Sequence, residues 1–448
     1  MPAATQTRIR RAHPKTKYGC STCKKRRIKC DERRPSCENC TKRGLDCGYY
    51  ILQPSVCVSA CPFSTQEDKS PFKVHVFAQN SESPSLSPPP SISPNIVTDI
   101  FPDCPDAFRP RCQELLHHFT TTTSTTLATD YPAQECWRSA VLQLARAHPF
   151  LLHGILASSA LHLSRSLELY NEKETYLKIA ARQMNIGLSQ YRPVLENVTE
   201  DNAEALFSFC ALTSFFTWVT AADDCKELLS SLRTGGLDWF QQDGVVGKLR
   251  ATVIKLLRAV RGALVILTPC WARVSSGILS PIINRDWWPN PPRLVTPQAI
   301  EEDGKLHAIE KMWVKPGRKY EYSFDALASS LRQLREVFAL VSHLTVNTSI
   351  VGDKMPTGTL IDRAAIFVWP TRISTEFISL LEQRQPESWV ILAHFAILPG
   401  RIQGVWWVNC MASHIIAVAA LVLGREKLDL IEWPMREVGA NMSSIFSA

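Results

Sequence analysis

Six cysteines near the amino terminus constrain the fold of this chain more than any other feature of its sequence. They follow the spacing C-x2-C-x6-C twice, with the segment DERRPS between the two copies; the six are Cys20, Cys23, Cys30, Cys37, Cys40 and Cys47. In each copy, the C-x2-C pair lets two thiolates bind one ion from a single turn. The seven residues from Cys23 to Cys30 are about two helical turns. The spacing therefore predicts that the three sulfurs of a copy share one face.

Metal binding explains why so many cysteines lie in so polar a segment. Each copy supplies three thiolates, whereas zinc takes four ligands, so six sulfurs complete two tetrahedral sites if two of them bridge. All-thiolate ligation selects zinc over magnesium or calcium. The alternatives are buried cysteines without metal and an iron–sulfur cluster. A segment with so few apolar residues folds only around metal, so the sequence predicts two bound zinc ions.

The positive charge of the chain is concentrated in the same segment. Residues 1–47 contain 14 Lys or Arg and 4 Asp or Glu, whereas the remaining 401 residues contain 36 basic and 38 acidic side chains. This asymmetry predicts a polyanionic partner for the amino-terminal part, nucleic acid before a membrane.

Residues 19–49 resemble the fungal zinc binuclear cluster, or Zn2Cys6, transcription factors. All six cysteines match, and Pro35 matches the turn that joins the two halves of the cluster in that family. The resemblance implies that Cys20 and Cys37 are bridging ligands. One zinc ion would be held by Cys20, Cys23, Cys30 and Cys37, and the other by Cys37, Cys40, Cys47 and Cys20.

The same resemblance implies double-stranded DNA as the partner. In that family the cluster fixes a short helix whose C-terminal end enters the major groove, and here that helix carries KKRRIK. Arg26 and Arg27 stand where the family places its base readers, and arginine can donate two hydrogen bonds to guanine. The remaining basic residues are expected to contact phosphates; they are Lys24, Lys25, Lys29, Lys42 and Arg43. Without the cysteines around it, the same run of basic residues would indicate only a solvated surface or a nuclear import signal.

The chain outside the cysteine module has a different organisation. Residues 1–18 are predicted to be a basic disordered arm, and residues 50–110 a flexible linker rich in Ser and Pro. Residues 111–448 show one helical pattern after another. Helices are predicted at 111–123, 136–148, 149–170, 175–193, 202–223, 323–347, 360–383, 387–397 and 404–424. The predicted fold is thus a small metal-stapled module of two short helices, a disordered linker and a large all-α domain.

One stretch tests whether the chain enters a membrane. Residues 405–424 contain no charge and are long enough to span a bilayer. Asn409, Ser413 and His414 lie near the middle of the stretch, and basic residues flank both ends, which favours a buried core helix. The charged start of the chain has no apolar segment behind it, so no signal peptide and no membrane partner are predicted. The odd number of cysteines, fifteen, favours a reducing compartment.

The large domain also resembles a known regulatory domain. LLHHFTTTTSTT, HPFLLHGILASSALHL and IEWPMREVG are similar to the subgroup that includes the sterol uptake control protein. This resemblance implies an all-α regulatory domain and, in the sterol regulator, a hydrophobic ligand pocket. In the present chain, the apolar helices predicted at 202–223 and 404–424 are interpreted as core helices, because apolar helices belong to a protein core more often than to the wall of a ligand pocket.

Other residues carry weaker signals. Several histidines could be considered as metal ligands, but no pair of them has the i, i+4 spacing with an acidic partner that a metal site on a helix needs. They are therefore predicted to pack between helices; they are His117, His118, His148, His153 and His162. Cys57 and Cys61 lie just past the module. No G-x-S-x-G, P-loop or H-E-x-x-H motif is present, so no enzyme is predicted. Residues 48–110 offer no heptads, which leaves a monomer or a homodimer through the large domain.

Together these features predict a nuclear, DNA-binding regulator of RNA polymerase II genes. We expect an activator of one metabolic pathway, such as a secondary-metabolite gene cluster, and the pathway rests on the resemblance alone. One alternative is a sterol- or lipid-sensing regulator that binds an apolar small molecule in its large domain. The other is a zinc-stapled module that binds RNA or protein.

Overall fold

The computed structural model of the chain shows a small cysteine module and a large helical domain. It describes residues 20–26, 28–31, 33, 37–43, 45, 108–233, 239–285, 287, 294, 296–315, 317, 319, 321–346, 359–408 and 410–440. The buried side chains form two separate clusters, one of cysteines and one of apolar residues. The predicted arm lies outside the described residues, as does nearly all of the predicted linker, and the predicted domain boundaries stay predictions.

The module contains two short helices, α1 (Ser21–Lys25) and α2 (Glu38–Thr41). In the helical domain, two π-helical turns, Phe119–Thr123 and Cys136–Ala140, continue into regular helix. The first part of this domain contains α3 (Arg109–His118), α4 (Ser124–Leu127), α5 (Tyr131–Glu135), α6 (Val141–Ala147), α7 (Pro149–Ser166), α8 (Tyr170–Leu195) and α9 (Ala203–Arg233).

The second part of the domain contains the remaining helices that the structure describes. These are α10 (Trp239–Arg261), α11 (Ala263–Ser276), α12 (Ser280–Ile283), α13 (Pro297–Ala308), α14 (Ser323–His343), α15 (Val368–Arg372), α16 (Thr375–Glu382), α17 (Pro386–Phe395), α18 (Ile397–Gly400), α19 (Met411–Leu423) and α20 (Glu432–Val438). Three 3₁₀ helices span Ile309–Met312, Arg363–Phe367 and Arg425–Ile431. Strands β1 (Thr345–Val346) and β2 (Thr359–Leu360) pair antiparallel, with Thr345 opposite Leu360.

Local sequence explains where several helices begin. Pro149 is the first residue of α7, where its missing N–H costs no hydrogen bond. The side chains of Asp130, Thr296 and Ser374 each accept a hydrogen bond from a backbone N–H in the first turn of α5, α13 and α16. These caps satisfy donors that the helix itself leaves unpaired.

The centre of the first part is the contact of α7, α8 and α9 around Phe209. This side chain is fully buried, and its ring centroid lies 5.6 Å from that of Phe150 and 4.7 Å from that of Tyr191. Gly154 on α7 and Gly187 on α8 make room for it, because a Cβ at either position would lie 2.7 Å from the ring. The two glycines therefore allow the three helices to pack closely around one aromatic side chain.

Most predicted helices are present, but several boundaries are wrong. Helix α9 continues ten residues past the predicted end at 223, and α10 was not predicted. The predicted helix at 360–383 is divided among a 3₁₀ helix, α15 and α16. Helix α7 is buried on nearly all sides.

The uncharged stretch 405–424 is not one continuous helix. Gly404 and Cys410 have φ of +70° and +65°, and α19 starts only at Met411. Its 13 residues span about 20 Å, short of the roughly 30 Å of a bilayer core. Among the described helices, α9 is long and apolar enough to cross a membrane, but 67% of its most apolar window is buried inside the domain.

Candidate metal centre and nucleic-acid interface

The two short helices of the module place the cysteines by the same local pattern. Cys20 precedes α1, and its Sγ accepts a hydrogen bond of 3.3 Å from the N–H of Cys23. Cys37 precedes α2 in the same extended backbone conformation. After each helix, one further hydrogen bond repeats: Ile28 N–H donates to the Cys23 carbonyl at 3.1 Å, and Leu45 N–H to the Cys40 carbonyl at 3.0 Å. The repeated sequence spacing is therefore also a repeated structure.

The sulfur atoms lie at distances that fit zinc. In a regular tetrahedron with Zn–S bonds of about 2.3 Å, neighbouring sulfurs are about 3.8 Å apart. The Cys20 and Cys37 sulfurs are 3.7 Å apart, those of Cys23 and Cys37 3.6 Å, and those of Cys20 and Cys40 3.7 Å. The donor set is all sulfur, which matches the preference of zinc. The residues present therefore fit zinc ions.

Four of the sulfurs form one compact group. The Sγ atoms of Cys20, Cys23, Cys30 and Cys37 all lie within 4.8 Å of one another. This group is the first ligand set that the family resemblance implies. Cys40 lies beside it, 3.7 Å from Cys20, and Cys47 is outside the described residues. Among the residues that the structure describes outside the module, no group of three or more His, Cys, Asp or Glu lies close enough together to hold a metal ion.

The cysteines are buried without an apolar core around them. The five described cysteines of the module are at most 2% exposed, and Ile28 is the partly buried apolar side chain that packs against them. Burial, together with the hydrogen bond between the Cys23 and Cys20 thiols, raises the pKa of Cys23 to about 12. Burial also raises the pKa of Cys37. Since zinc binds thiolates, a bound cation has to offset this cost of deprotonation.

Polar side chains as well as cysteines join the halves of the module. Asn39 Nδ2 donates to the Lys29 carbonyl at 2.7 Å, and the Glu38 N–H donates to Asp31 Oδ2 at 3.0 Å. The second bond lowers the pKa of the Asp31 carboxyl. Neither contact was predicted, although the 17-residue offset between the two copies indicates which segments face each other. These bonds fix the segment after α1 against the start of α2.

The predicted helix over KKRRIK is wrong in length. Helix α1 ends at Lys25, Arg26 caps it, and Ile28–Cys30 is not helical. The reason is the rise of a helix, about 1.5 Å per residue. Over seven residues it would separate Cys23 from Cys30 by about 10 Å, too far for one ion. The chain therefore leaves the helix and turns back to bring Cys30 to the cluster.

The basic side chains of the module are on its surface. Among the predicted DNA contacts, the exposed ones are Lys24, Arg26, Lys29, Lys42 and Arg43. Lys25 belongs to α1 by its backbone, and Arg27 lies outside the described residues. Arg33 is exposed as well and was not predicted. Arg26 stands at the C-terminal end of α1, where a cation also interacts favourably with the helix dipole.

The two helices differ in charge. Helix α2 begins with Glu38, whose Oε1 lies 2.8 Å from Lys42 Nζ, and this pairing lowers the pKa of Glu38. Helix α1 has no acidic residue in its first turn. The charge of Lys42 is therefore partly neutralised within α2.

His118, His153 and His162 pack against aromatic or polar neighbours as predicted, whereas the prediction is wrong for His117, which is exposed. The His162 ring stacks on Trp406 with centroids 4.6 Å apart and lies 5.1 Å from the His118 ring. His153 Nδ1 lies 2.7 Å from Gln183 Oε1. Cys57 and Cys61 are outside the described residues.

Comparison with known proteins agrees with this geometry. Residues 18–54 match the fungal Zn(2)-Cys(6) binuclear cluster domain, and residues 114–234 match the fungal specific transcription factor domain. The first match covers the cysteine module, and the second runs from α3 to the end of α9. The first match supports zinc binding and DNA binding, and both matches support a role in transcription regulation.

Individual relatives are similar over different shares of the chain. A Zn(2)-C6 fungal-type transcription factor of Gibberella zeae is 26% identical over 97% of this chain and 88% of its own length. The Zn(2)-C6 fungal-type transcription factor afumD of Aspergillus fumigatus is 25% identical over 87% of each chain. Sterol uptake control protein 2 of Candida albicans is 42% identical over 106 residues, which are 21% of this chain and 15% of that protein.

Proposed function

We propose that this chain, which carries a fungal Zn(2)-Cys(6) binuclear cluster domain followed by a fungal specific transcription factor domain, is a nuclear regulator that binds a specific duplex sequence near RNA polymerase II genes. The observation that carries the proposal is the packing of five buried cysteines directly beneath a helix with exposed basic side chains. A rigid cationic surface of this kind suits the major groove of DNA.

The metal centre is proposed to hold two zinc ions. Cys20 and Cys37 are the proposed bridging ligands, since the Cys20 sulfur lies 3.7 Å from both Cys37 and Cys40, and Cys37 belongs to the compact group of four. Cys47 would complete the second site. Zinc would supply no chemistry here beyond charge and geometry, because a site closed by thiolates leaves no position for a substrate.

The basic residues are proposed to divide between base reading and phosphate binding. Among the residues that the structure describes, Arg26 is the proposed base reader, because it lies at the C-terminal end of α1. Arg27 is proposed as a second base reader from the sequence alone. The other members of the set are proposed to contact phosphates; they are Lys24, Lys25, Lys29, Lys42 and Arg43. Glu38 partly neutralises Lys42, which should weaken the phosphate contact of that lysine.

The helical domain is proposed to regulate and not to touch DNA. Residues 48–448 contain 36 basic and 38 acidic side chains, so they lack the excess of cations that drives counterion release from duplex DNA. A homodimer through this domain, activation rather than repression, and control of a secondary-metabolite gene cluster stay predictions. Sterol sensing is the second candidate, favoured by the similarity to Sterol uptake control protein 2.

The proposal is tested by selecting bound nucleic acids with the full chain. Random duplex DNA and random single-stranded RNA are offered in parallel, with the Cys37→Ala variant as the control. We expect one enriched duplex motif for the wild type and none for the variant. Enrichment of RNA alone, or duplex binding without any sequence preference, would contradict the proposal. Sterol sensing predicts in addition one sterol per chain in the purified protein.

A further inference from the structure

The helical domain contains an apolar cavity that the DNA-binding proposal does not use. Its volume is about 210 Å³, and it lies where α9 passes the 3₁₀ helix Arg363–Phe367. Aromatic side chains line it together with aliphatic ones; the aromatic ones are Trp137, Phe207, Phe215, Phe367 and Trp407. These residues come from four distant parts of the chain, so the cavity exists only in the folded domain.

Three charged residues line one end of the cavity: Arg285, Asp362 and Arg363. The first two are partners of one another, with Arg285 Nε 3.4 Å from Asp362 Oδ2. Arg285 also pairs with Asp130 at 2.6 Å. Asp362 also accepts hydrogen bonds from Trp287 Nε1 at 2.8 Å and from the Ala364 N–H at 2.9 Å. Arg285 and Asp362 are therefore neutralised within the protein.

Arg363 is different, because its guanidinium has no acidic partner. Its Nη1 donates to the Thr126 carbonyl at 3.2 Å, and among the described residues no carboxylate lies within 4.0 Å of it. The side chain is half-buried, and burial lowers its pKa. A guanidinium has five N–H donors in a planar fork, and the described side-chain contact of Arg363 engages one of its nitrogens.

We propose that this cavity binds a small apolar carboxylate, whose hydrocarbon part contacts the aromatic wall and whose carboxylate is received by Arg363. The planar fork of arginine matches the two oxygens of a carboxylate. The hydrocarbon part is limited in size, because an apolar cavity of about 150 Å³ holds one benzene ring. A cavity of about 210 Å³ thus suits one ring or a short chain with its acid group. A four-ring sterol needs a larger site, of the range found for drug-sized ligands.

The binding itself does not depend on the proposed DNA function, whereas a regulatory effect of the ligand rests on it. Binding is therefore measured first, by calorimetry and thermal unfolding of the full chain without DNA. The probes are phenylacetate and octanoate, and the matched neutral probes are 2-phenylethanol and 1-octanol. We expect one molecule per chain, and at least about tenfold weaker binding of the alcohols, because they lack the charge-assisted hydrogen bonds that a carboxylate accepts from a guanidinium.

Variants separate the charge from the cavity. Arg363→Met should weaken the two carboxylates about tenfold and bring them level with the alcohols. Ala211→Phe places a ring in the cavity and should abolish binding of all four probes. Arg146→Met is the matched control, because Arg146 is exposed and lies away from the cavity lining. This control should bind like the wild type.

Three results would overturn the inference: no binding of either carboxylate by the wild type at millimolar concentration, equal binding of acids and alcohols, or undiminished carboxylate binding by Arg363→Met. If Arg363→Met fails to fold, the comparison of acids with alcohols and the Ala211→Phe variant still decide. Selection of a duplex motif by the same preparation, without ligand, shows separately whether the DNA function holds.

Discussion

The cysteine module and the helical domain bury different kinds of side chain. In the described part of the module, the buried cluster consists of five cysteines, with Ile28 packed against it. The helical domain buries aromatic and aliphatic side chains in one continuous cluster, with Phe209, Trp369 and Trp389 fully enclosed. The module therefore depends on metal for its fold, whereas the helical domain depends on removing apolar surface from water.

The same contrast separates the charges. The metal-dependent module carries the excess of positive charge, and the rest of the chain is close to neutral. A fold held by a metal cluster needs few apolar residues, so its surface is free to carry cations. The helical domain instead folds around a large apolar core, and its proposed ligand site is an apolar cavity. Four perturbations should thus affect the two regions unequally. They are removal of zinc, a cavity in the core, loss of a surface cation, and protonation of a buried histidine.

Removal of zinc should have the largest effect, and on the module alone. A structural zinc ion contributes about 10–16 kcal/mol, so a chelator should unfold the module and abolish DNA binding. Cys37→Ala should lose both ions, because Cys37 is a proposed bridging ligand. Zinc content and DNA binding measure these effects, while thermal unfolding of the helical domain should stay unchanged. Cys57→Ala, outside the six-cysteine spacing, is the control. Normal DNA binding by Cys37→Ala would contradict the binuclear centre.

A cavity created in the core by mutation should destabilise the helical domain and leave the cysteine module unaffected. Phe209→Ala removes a fully buried ring between α7, α8 and α9, which costs about 3–5 kcal/mol of unfolding free energy. The loss should appear in denaturant unfolding of the helical domain, and the selected DNA motif should not change. Tyr322→Ala is the control, because Tyr322 is 91% exposed and its loss should cost less than about 0.5 kcal/mol. A changed motif in Phe209→Ala would show that the two regions are not independent.

Within the module, two cations should differ in kind. Arg26→Ala should relax sequence preference by about 1–3 kcal/mol, as expected for a lost contact to guanine. Lys42→Ala should weaken binding to all duplexes alike and reduce the salt slope by about one. Competition between matched and mismatched duplexes at several salt concentrations measures both. Equal weakening of all sequences by Arg26→Ala would assign Arg26 to phosphate contact instead.

Acid should destabilise the helical domain through its buried histidines. Burial lowers the pKa of His394 to about 4, although its hydrogen bond to the Val390 carbonyl acts in the other direction. The unfolded chain takes up this proton near pH 6.5, so stability is constant above that pH and falls as pH drops toward 4. His394 should thus account for about 1–2 kcal/mol lost between pH 7 and pH 5. Unfolding free energies at both pH values measure it.

The matched variants for this pH effect are His394→Gln and His117→Gln. His394→Gln should flatten the pH dependence by the His394 share, even if it lowers stability at every pH. His117 is exposed, and its replacement should leave the pH dependence as it is. An unchanged slope in His394→Gln would show that the buried ring does not contribute to acid sensitivity.

The sequence predicts the metal centre better than the cavity, for a physical reason. Zinc ligands must be thiolates at short intervals, so the spacing of the cysteines is visible along the chain. The predicted helix over KKRRIK was too long. The cysteine spacing indicates which face of a helix the cysteines would share, but not how far apart they would lie along the helix axis. The cavity brings together Trp137, Arg363 and Trp407, which no spacing connects. The break before α19 depends on positive φ at Gly404 and Cys410, and an apolar run gives no sign of it at Cys410.

The division of labour between the two regions is tested most directly by comparing DNA selection by residues 1–110 with selection by the full chain. Both samples contain zinc and are offered the same pool of random duplexes. We predict the same motif from both, with weaker binding by the fragment if the helical domain dimerises, because two linked modules bind with a high effective concentration. A different motif from the fragment, or tight duplex binding by residues 112–448 alone, would contradict the account.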